Sequence, residues 1–451
     1  MSKLRLAIVG AGPAGIYAAD LLIKSELRDF EVSIDLFDLL PAPYGLVRYG
    51  VAPDHPRIKG IIRALYEVLD RGDIRFFGNV KFGTDLTIES LQRHYNAVIF
   101  STGAIRDAKL DIPGVDLDGS YGAADFVNWY DAHPDVAREW PLNAKEIAVI
   151  GNGNVALDVA RVLVKPADLM LSTDIPGHVY AGLKNSPVTD VHVFGRRGPA
   201  QVKFTPLELR EAVHIEGVDT IVHDEDFVYD EGSNEQIDSN NQTRVMVKTL
   251  EDLRGRESTG ASRRLHLHFF SQPTEIIGAD GKVTGFKIER TELDGTGNVR
   301  GTGEFREIPV QAVYRAVGYF GSPLPGLPFD QKAGVITNAG GRVLDESGTA
   351  IPGVFATGWI KRGPVGLIGH TKSDALETIG NLIADRASWW QPDQPSEDSI
   401  VDYLEAKGVQ FVTWADWLRI DAEEVRRGAE QGRERVKLFD RAEIGRLANR
   451  S

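Results

Sequence analysis

Residues 4–15 read LRLAIVGAGPAG, and this stretch decides the fold. Leu4 to Val9 is a short apolar run of the kind a fully buried parallel strand requires. It passes directly into Gly10-Ala11-Gly12-Pro13-Ala14-Gly15, a GxGxxG with all three glycines. Gly10 permits the tight turn, Gly12 lets the backbone approach a pyrophosphate, and Gly15 lets the next helix pack on the strand. Ile16 to Ile23 is expected to be that helix, with its free N-terminal amides turned to the phosphates. A second strand, Val32 to Phe37, ends in Asp38. A carboxylate at that point, about 20 residues past the motif, accepts hydrogen bonds from ribose hydroxyls. A glycine motif alone is common. Strand, turn, helix, strand and acid in one register point to a dinucleotide site.

The same pattern returns later with one difference. Ile147 to Ile150 enters Gly151-Asn152-Gly153-Asn154-Val155-Ala156, a GxGxxA, and Leu157 to Leu163 continues as a helix. The following strand, Val191 to Phe194, ends in Gly195-Arg196-Arg197-Gly198. A carboxylate there would repel a 2′-phosphate, whereas a guanidinium pairs with it through two parallel hydrogen bonds. The first turn therefore suits a free ribose and the second suits NADP. Together they imply FAD and NADP on one chain, with hydride passing between nicotinamide and flavin.

Ala97 to Phe100 with Ser101-Thr102-Gly103, and Gly353 to Ala356 with Thr357-Gly358-Trp359, add strands and glycine turns to the first sheet. The expected architecture is α/β: two Rossmann-like domains, the second inserted into the first. The expected boundaries are 1–104 and 323–451 for the FAD domain, which carries a helical C-terminal extension, and 105–322 for the NADP domain. Ala312 to Val317 would be the last inserted strand and the Gly- and Pro-rich 318–328 the linker. The polar 223–244 reads as a surface loop. Leu265 to Phe270 reads as a strand whose His266 and His268 face solvent rather than a metal. The arginines of 426–441, interleaved with acids, read as a solvated helical face.

Composition narrows the chemistry. The 451 residues carry a net charge of −14, 42% hydrophobic residues and no cysteine. Without cysteine there is no disulfide relay, no cysteine nucleophile and no thiolate-held iron–sulfur cluster. The acidic balance argues against nucleic-acid binding. No apolar run is long enough for a transmembrane helix, and residues 1–10 enter a strand without a signal-peptide pattern. The expected compartment is the cytoplasm.

With both turns in place, the chain resembles the adrenodoxin-reductase-type ferredoxin–NADP reductases, flavoproteins of glutathione-reductase-like fold. The resemblance spans nearly the whole chain. It rests on VGAGPAG at 9–15, LPAPYGLVRYGVAPDHPRIK at 40–59, VIGNGNVALDVAR at 149–161, VFGRRGP at 193–199, FTPLELRE at 204–211 and ATGWIKRGPVGLIG at 356–369. It implies FAD contacts at Gly10, Gly12, Pro13, Ala14, Gly15, Asp38, Leu46, Val80 and Trp359, with Gly366, Leu367 and Ile368 against the isoalloxazine. It implies NADP contacts at Arg106, Asn152, Gly153, Asn154, Val155, Arg196, Arg197 and Glu208, with Gly366 near the nicotinamide. His55 and Glu211 are implied near the reacting rings, where they would tune hydride transfer, and Asp158 is a further catalytic candidate. One departure is Asp38, where many relatives carry the longer glutamate.

The implied activity is hydride transfer from NADPH to FAD, then single electrons to an acidic ferredoxin. Amides opening a helix over Thr371 to Ala384 would stabilise charge on the reduced flavin. Arg244, Lys248, Arg254, Arg256, Arg263, Arg264, Lys361 and Arg362 are the candidate docking cations. The competing readings are a broad NADPH-dependent quinone or dye reductase and a flavin-dependent monooxygenase. Disulfide reductases and cluster-bearing glutamate-synthase subunits are set aside by the missing cysteines.

Overall fold

A parallel strand covered on both faces must be apolar at consecutive positions, because alternate side chains enter two different layers. The strand Lys3–Val9 does this from Leu6 to Val9, and its buried Arg5 is matched by Asp35 at 2.8 Å. Leu4, Leu6 and Ile8 enter one core with Ile16, Ile379 and Leu382. Ala7 and Val9 enter another with Phe37, Phe77 and Tyr95. The computed structural model describes residues 3–366 and 368–448. The chain divides into two compact units: Met1–Arg106, Asp131–Asp135 and Tyr319–Ser451 form one, and Asp107–Tyr130 with Val136–Gly318 the other. These limits differ by a few residues from those expected, and residues 131–135 cluster with the first unit rather than the second.

In the first unit the strand order is Asn338–Ala339, Arg342–Leu344, Ala350–Ala356, Ala97–Phe100, Lys3–Val9, Glu31–Phe37, Ile74–Gly78, Val412–Thr413. The five inner strands run parallel and the edges antiparallel. The helix Pro13–Lys24 follows the first glycine turn and packs along the helix Ile368–Ala384.

The C-terminal extension carries the expected solvated face only in part: Arg426 and Glu430 are exposed and paired with each other, but other charges turn inward. Its helix Trp414–Glu430 buries Glu424 against Arg48, with 2.5 Å between Arg48 Nη2 and Glu424 Oε1. Arg48 also lies over the Trp417 ring. Arg435 pairs with Asp421, and the fully buried Lys437 ammonium reaches Asp131 at 2.8 Å and the carbonyl of Arg48. Burying these charges is favourable only because each has a partner.

The second unit is a six-stranded parallel sheet in the order Ser120–Gly122, Ala312–Arg315, Glu146–Ile150, Asp190–Phe194, Arg263–His268, Val218–Val222. A three-stranded antiparallel sheet, Ser271–Ala279, Lys282–Leu293 and Val299–Ile308, covers part of one face. Phe194, Ile276, Phe286 and Ile288 share the core between them. The segment 223–244, expected to be a loop, is largely helical: Glu231–Ser239 and Asn241–Glu251. Its polar residues are caps. Asp230 accepts from the Ser233 amide, and Asn240 accepts from the amides of Gln242 and Thr243.

The histidines also differ from expectation. Arg263–His268 is an interior strand, and His266 lies opposite His192 in register. Rings of His192 and His266 stack at 4.2 Å, and His223 stacks on His268 at 4.5 Å. Burial pushes His266 down to about 4, with neighbouring His192 adding to the shift and Asp190 opposing it.

Two predictions follow from this packing. Glu424→Ala leaves Arg48 buried beside Arg435 with no counter-charge, and should cost about 3–5 kcal/mol in denaturant unfolding. His266 refuses a proton that the unfolded chain accepts near pH 6.5. Stability should therefore be untouched above that pH and fall by about 3 kcal/mol as pH drops from about 6.5 to about 4. Urea midpoints against pH for the wild type and His266→Gln measure this, and the variant should show a flatter profile.

Candidate dinucleotide sites

The first turn is fixed by close approach. Gly10 has φ +112°, and a Cβ there would stand 2.4 Å from the carbonyl oxygen of Ser101. A Cβ on Gly15 would stand 2.1 Å from the carbonyl oxygen of Gly10. Gly12 is different: a Cβ would meet nothing nearer than Gly45 Cα at 3.9 Å. The protein's own packing does not demand glycine there, so the open space fits a phosphate brought against the backbone. Pro13 opens the helix at its first turn, where the missing N–H costs nothing.

Other segments of the first unit converge on this turn. The Tyr44 amide donates to the Ala11 carbonyl, which brings Gly45 beside Gly12. Asp38 places one carboxylate oxygen on the Ala11 amide at 2.7 Å and the other on the Leu40 amide at 2.8 Å. The group is 8% exposed. Burial raises it to about 6, and those two amides hold it down. A carboxylate has about four acceptor positions, so two remain for ribose hydroxyls. Val80 is 1% exposed and donates its amide to the Asp38 carbonyl. Its visible part is to hold Asp38 rather than to present a side chain.

Gly358 closes the group. It has φ +74°, and a Cβ would lie 2.6 Å from Ala14 Cβ. Its amide donates to Asp374 on the helix Ile368–Ala384, and half-buried Trp359 follows. Gly366 is exposed, Ile368 starts that helix, and Leu367 lies outside the described residues. His55 is buried and sits at the N-cap of the short helix Pro56–Lys59. Arg106, expected at NADP, groups with the first unit and donates to the Gly321 carbonyl.

In the second unit Gly151 has φ +143°, and a Cβ would stand 2.3 Å from the Ala316 carbonyl oxygen. Gly153, at the N-cap of the helix Asn154–Val164, has nothing within 4 Å of its missing Cβ. The Asn154 side chain accepts from the Thr205 amide at 2.9 Å, and the Asn152 carbonyl accepts from the Lys203 amide. These bonds draw the helix Pro206–Val213 to the turn. That helix bears Glu208 and Glu211. Glu208 is pushed up to about 6, chiefly by burial. Asp158 lies 2.8 Å from Arg161, one turn along its own helix, so its charge is matched by a structural ion pair. Val155 belongs to the first turn of that helix.

The arginines divide sharply. Arg254 pairs with Asp224 and Arg264 with Asp190, while Arg263 donates to the carbonyls of Val164 and Lys165. Arg244 and Arg256 bond to carbonyls of their own segment, and Lys248 faces Asp252. Lys361 is 7% exposed and bound to Asp374 and Glu377. The stretch expected to dock a partner is thus largely committed, and Lys361 is no surface cation. By contrast, among the described residues neither Arg196 nor Arg197 is ion-paired, and Arg196 is exposed. Two uncommitted guanidiniums just past the strand Asp190–Phe194 fit a 2′-phosphate.

Comparison with known proteins agrees with this geometry. Residues 4–169 match the family model described as pyridine nucleotide-disulphide oxidoreductase. The chain is 41% identical to "NADPH-ferredoxin reductase FprA" of Mycobacterium tuberculosis, over 99% of both proteins. It is 37% identical to the mitochondrial "NADPH:adrenodoxin oxidoreductase" of Bos taurus, over 98% of this chain and 92% of that protein. The solved structure "Mycobacterium tuberculosis FprA in complex with NADPH" superposes with a TM-score of 0.91 at 40% identity, covering 99% of this chain and all of that one.

The contrast between the two turns yields a ligand test. Arg196→Ala with Arg197→Ala should weaken binding of 2′,5′-ADP roughly 10- to 100-fold and leave 5′-AMP unchanged, by calorimetry. Asp38→Asn should leave 2′,5′-ADP unaffected but lower the temperature at which bound flavin is released, followed by its fluorescence.

Proposed function

Because the chain belongs to the family of NADPH-ferredoxin and NADPH:adrenodoxin reductases, we propose that it is an FAD-dependent oxidoreductase carrying electrons from NADPH to a ferredoxin-type iron–sulfur protein. The observation that carries this reading is the pair of glycine turns, one ended by a buried carboxylate and the other by two unpaired arginines. Flavin, when bound, takes up a hydride and gives up its electrons singly.

The rest is the work of the chain. The first unit would hold FAD. Gly12 and the helix Pro13–Lys24 receive the pyrophosphate, Asp38 the ribose, and Leu46 and Trp359 flank the group. The seventeen-residue helix Ile368–Ala384 offers its N-terminal amides to negative charge on the ring. The second unit would hold NADP. Gly153 and the helix Asn154–Val164 take the pyrophosphate, and Arg196 and Arg197 take the 2′-phosphate. Glu208, raised towards neutrality by burial, can accept or donate a hydrogen bond to the nucleotide near pH 6. His55 and Glu211 are the proposed tuning residues. Asp158 is a further candidate, and with Arg161 it acts on the charge of Glu208.

The partner is proposed to be an acidic ferredoxin, and the compartment the cytoplasm. Among the described residues no helix is long and apolar enough to cross a membrane.

Stopped-flow reduction should be fast with NADPH and at least tenfold slower at equal NADH, a difference that Arg197→Ala erases. Cytochrome c reduction should then depend on added ferredoxin and fall with rising salt. Equal rates with the two nucleotides would contradict the arginine assignment. Ferredoxin-independent turnover with quinones at the same rate would favour the dye-reductase reading. His55→Ala should slow flavin reduction without releasing flavin.

A further inference from the structure

Four of the ten histidines of the chain gather on one face of the second unit, away from its glycine turn in sequence and unused by the reaction proposed above. His192 lies on the strand Asp190–Phe194, His266 and His268 on Arg263–His268, and His223 follows Val218–Val222. These three strands are adjacent and parallel, with His192 opposite His266. Alternation along a strand puts His266 and His268 on the same face. We propose that His192, His266 and His268 form a binding site for a borderline divalent transition ion of the zinc class, clipping neighbouring strands of this sheet together.

Three observations support the site. The first is spacing. One ring nitrogen from each of the three histidines lies within 4.8 Å of the other two. His192 Nδ1 and His268 Nε2 are already 3.0 Å apart. The edge of a tetrahedron with ligands at 2.0–2.1 Å is about 3.3–3.4 Å. Bringing His266 in needs its stacked ring to turn about the Cβ–Cγ bond, while the strands keep their register.

The second is tautomer control. His192 Nε2 faces Glu146 Oε2 at 3.1 Å, and His266 Nε2 faces Asp190 Oδ1 at 2.8 Å. An ionised carboxylate only accepts, so each of these nitrogens carries the proton. The other nitrogen, Nδ1, is left with its lone pair. A carboxylate behind a histidine is the usual outer support of a metal ligand, and His192 keeps its own when the His266 ring turns away from Asp190. His268 needs only to move its proton from Nε2 to Nδ1, so binding releases no net proton near neutrality.

The third is a fourth imidazole beside the group. His223 adds a candidate fourth ligand: its buried Nε2 has no hydrogen-bond partner, and its ring stacks on His268.

Titration of the flavin-loaded protein with Co²⁺ at pH 7.5 should give one equivalent of visible d–d absorption, displaced by Zn²⁺. Zn²⁺, but not Mg²⁺, should raise the unfolding temperature. His192→Ala and His268→Asn should each weaken binding at least tenfold, His223→Ala less so, and exposed His214→Ala not at all. Ferredoxin reduction should be unchanged in all four variants, which also reports that they fold. Absence of a Co²⁺ spectrum in the wild type would overturn the site. So would an equal affinity in the His192→Ala, His268→Asn double variant.

Discussion

In both units the turn between strand and helix passes so close to neighbouring backbone that a side chain cannot stand there. The missing Cβ of Gly15 would lie 2.1 Å from the Gly10 carbonyl oxygen, and that of Gly151 2.3 Å from the Ala316 carbonyl oxygen. This approach aims the first free amides of each helix at the space over Gly12 or Gly153, where no protein atom crowds the backbone. The remaining groups of each site are placed by reference to that turn. Tyr44 and Asp38 bond to Ala11, and residues 203–205 bond to Asn152 and Asn154. A substitution at the turn would therefore displace every binding segment hung from it.

Charge is distributed by the same logic. Most basic groups of the 244–264 stretch face acids or donate to carbonyls. Among the described residues Arg196 and Arg197 do not. Free charge is what discriminates one nucleotide from another, because an arginine already holding a carboxylate has little left for a phosphate. Asp38 obeys the complementary rule: buried, held by two amides and matched by no cation among the described residues, it retains acceptor capacity for hydroxyls.

Where the sequence misled, solvent exposure was the quantity misjudged. Residues 223–244 look like a loop because nearly all are polar, yet Asp230 and Asn240 are polar as helix caps. The basic tail looks solvated, yet Lys437 is 1% exposed and paired with Asp131. The Lys437 partner lies 306 residues away, so no local period reveals it. The strand Val299–Ile308 carries no sequence signal for the opposite reason: it is mostly exposed, and a strand that buries little has no apolar alternation.

The sequence by itself determined the two α/β units, the order in which the chain enters and leaves them, and the contrast between an acid after the first turn and two arginines after the second. Those follow from local rules: apolar runs buried on both faces, glycines where the chain bends, and the charge of the residue after the second strand. Tertiary structure alone decided which charges remain available. Arg48 meets Glu424 and His192 meets His266 only when distant strands and helices pack, and burial then sets whether a group is paired, neutral or free.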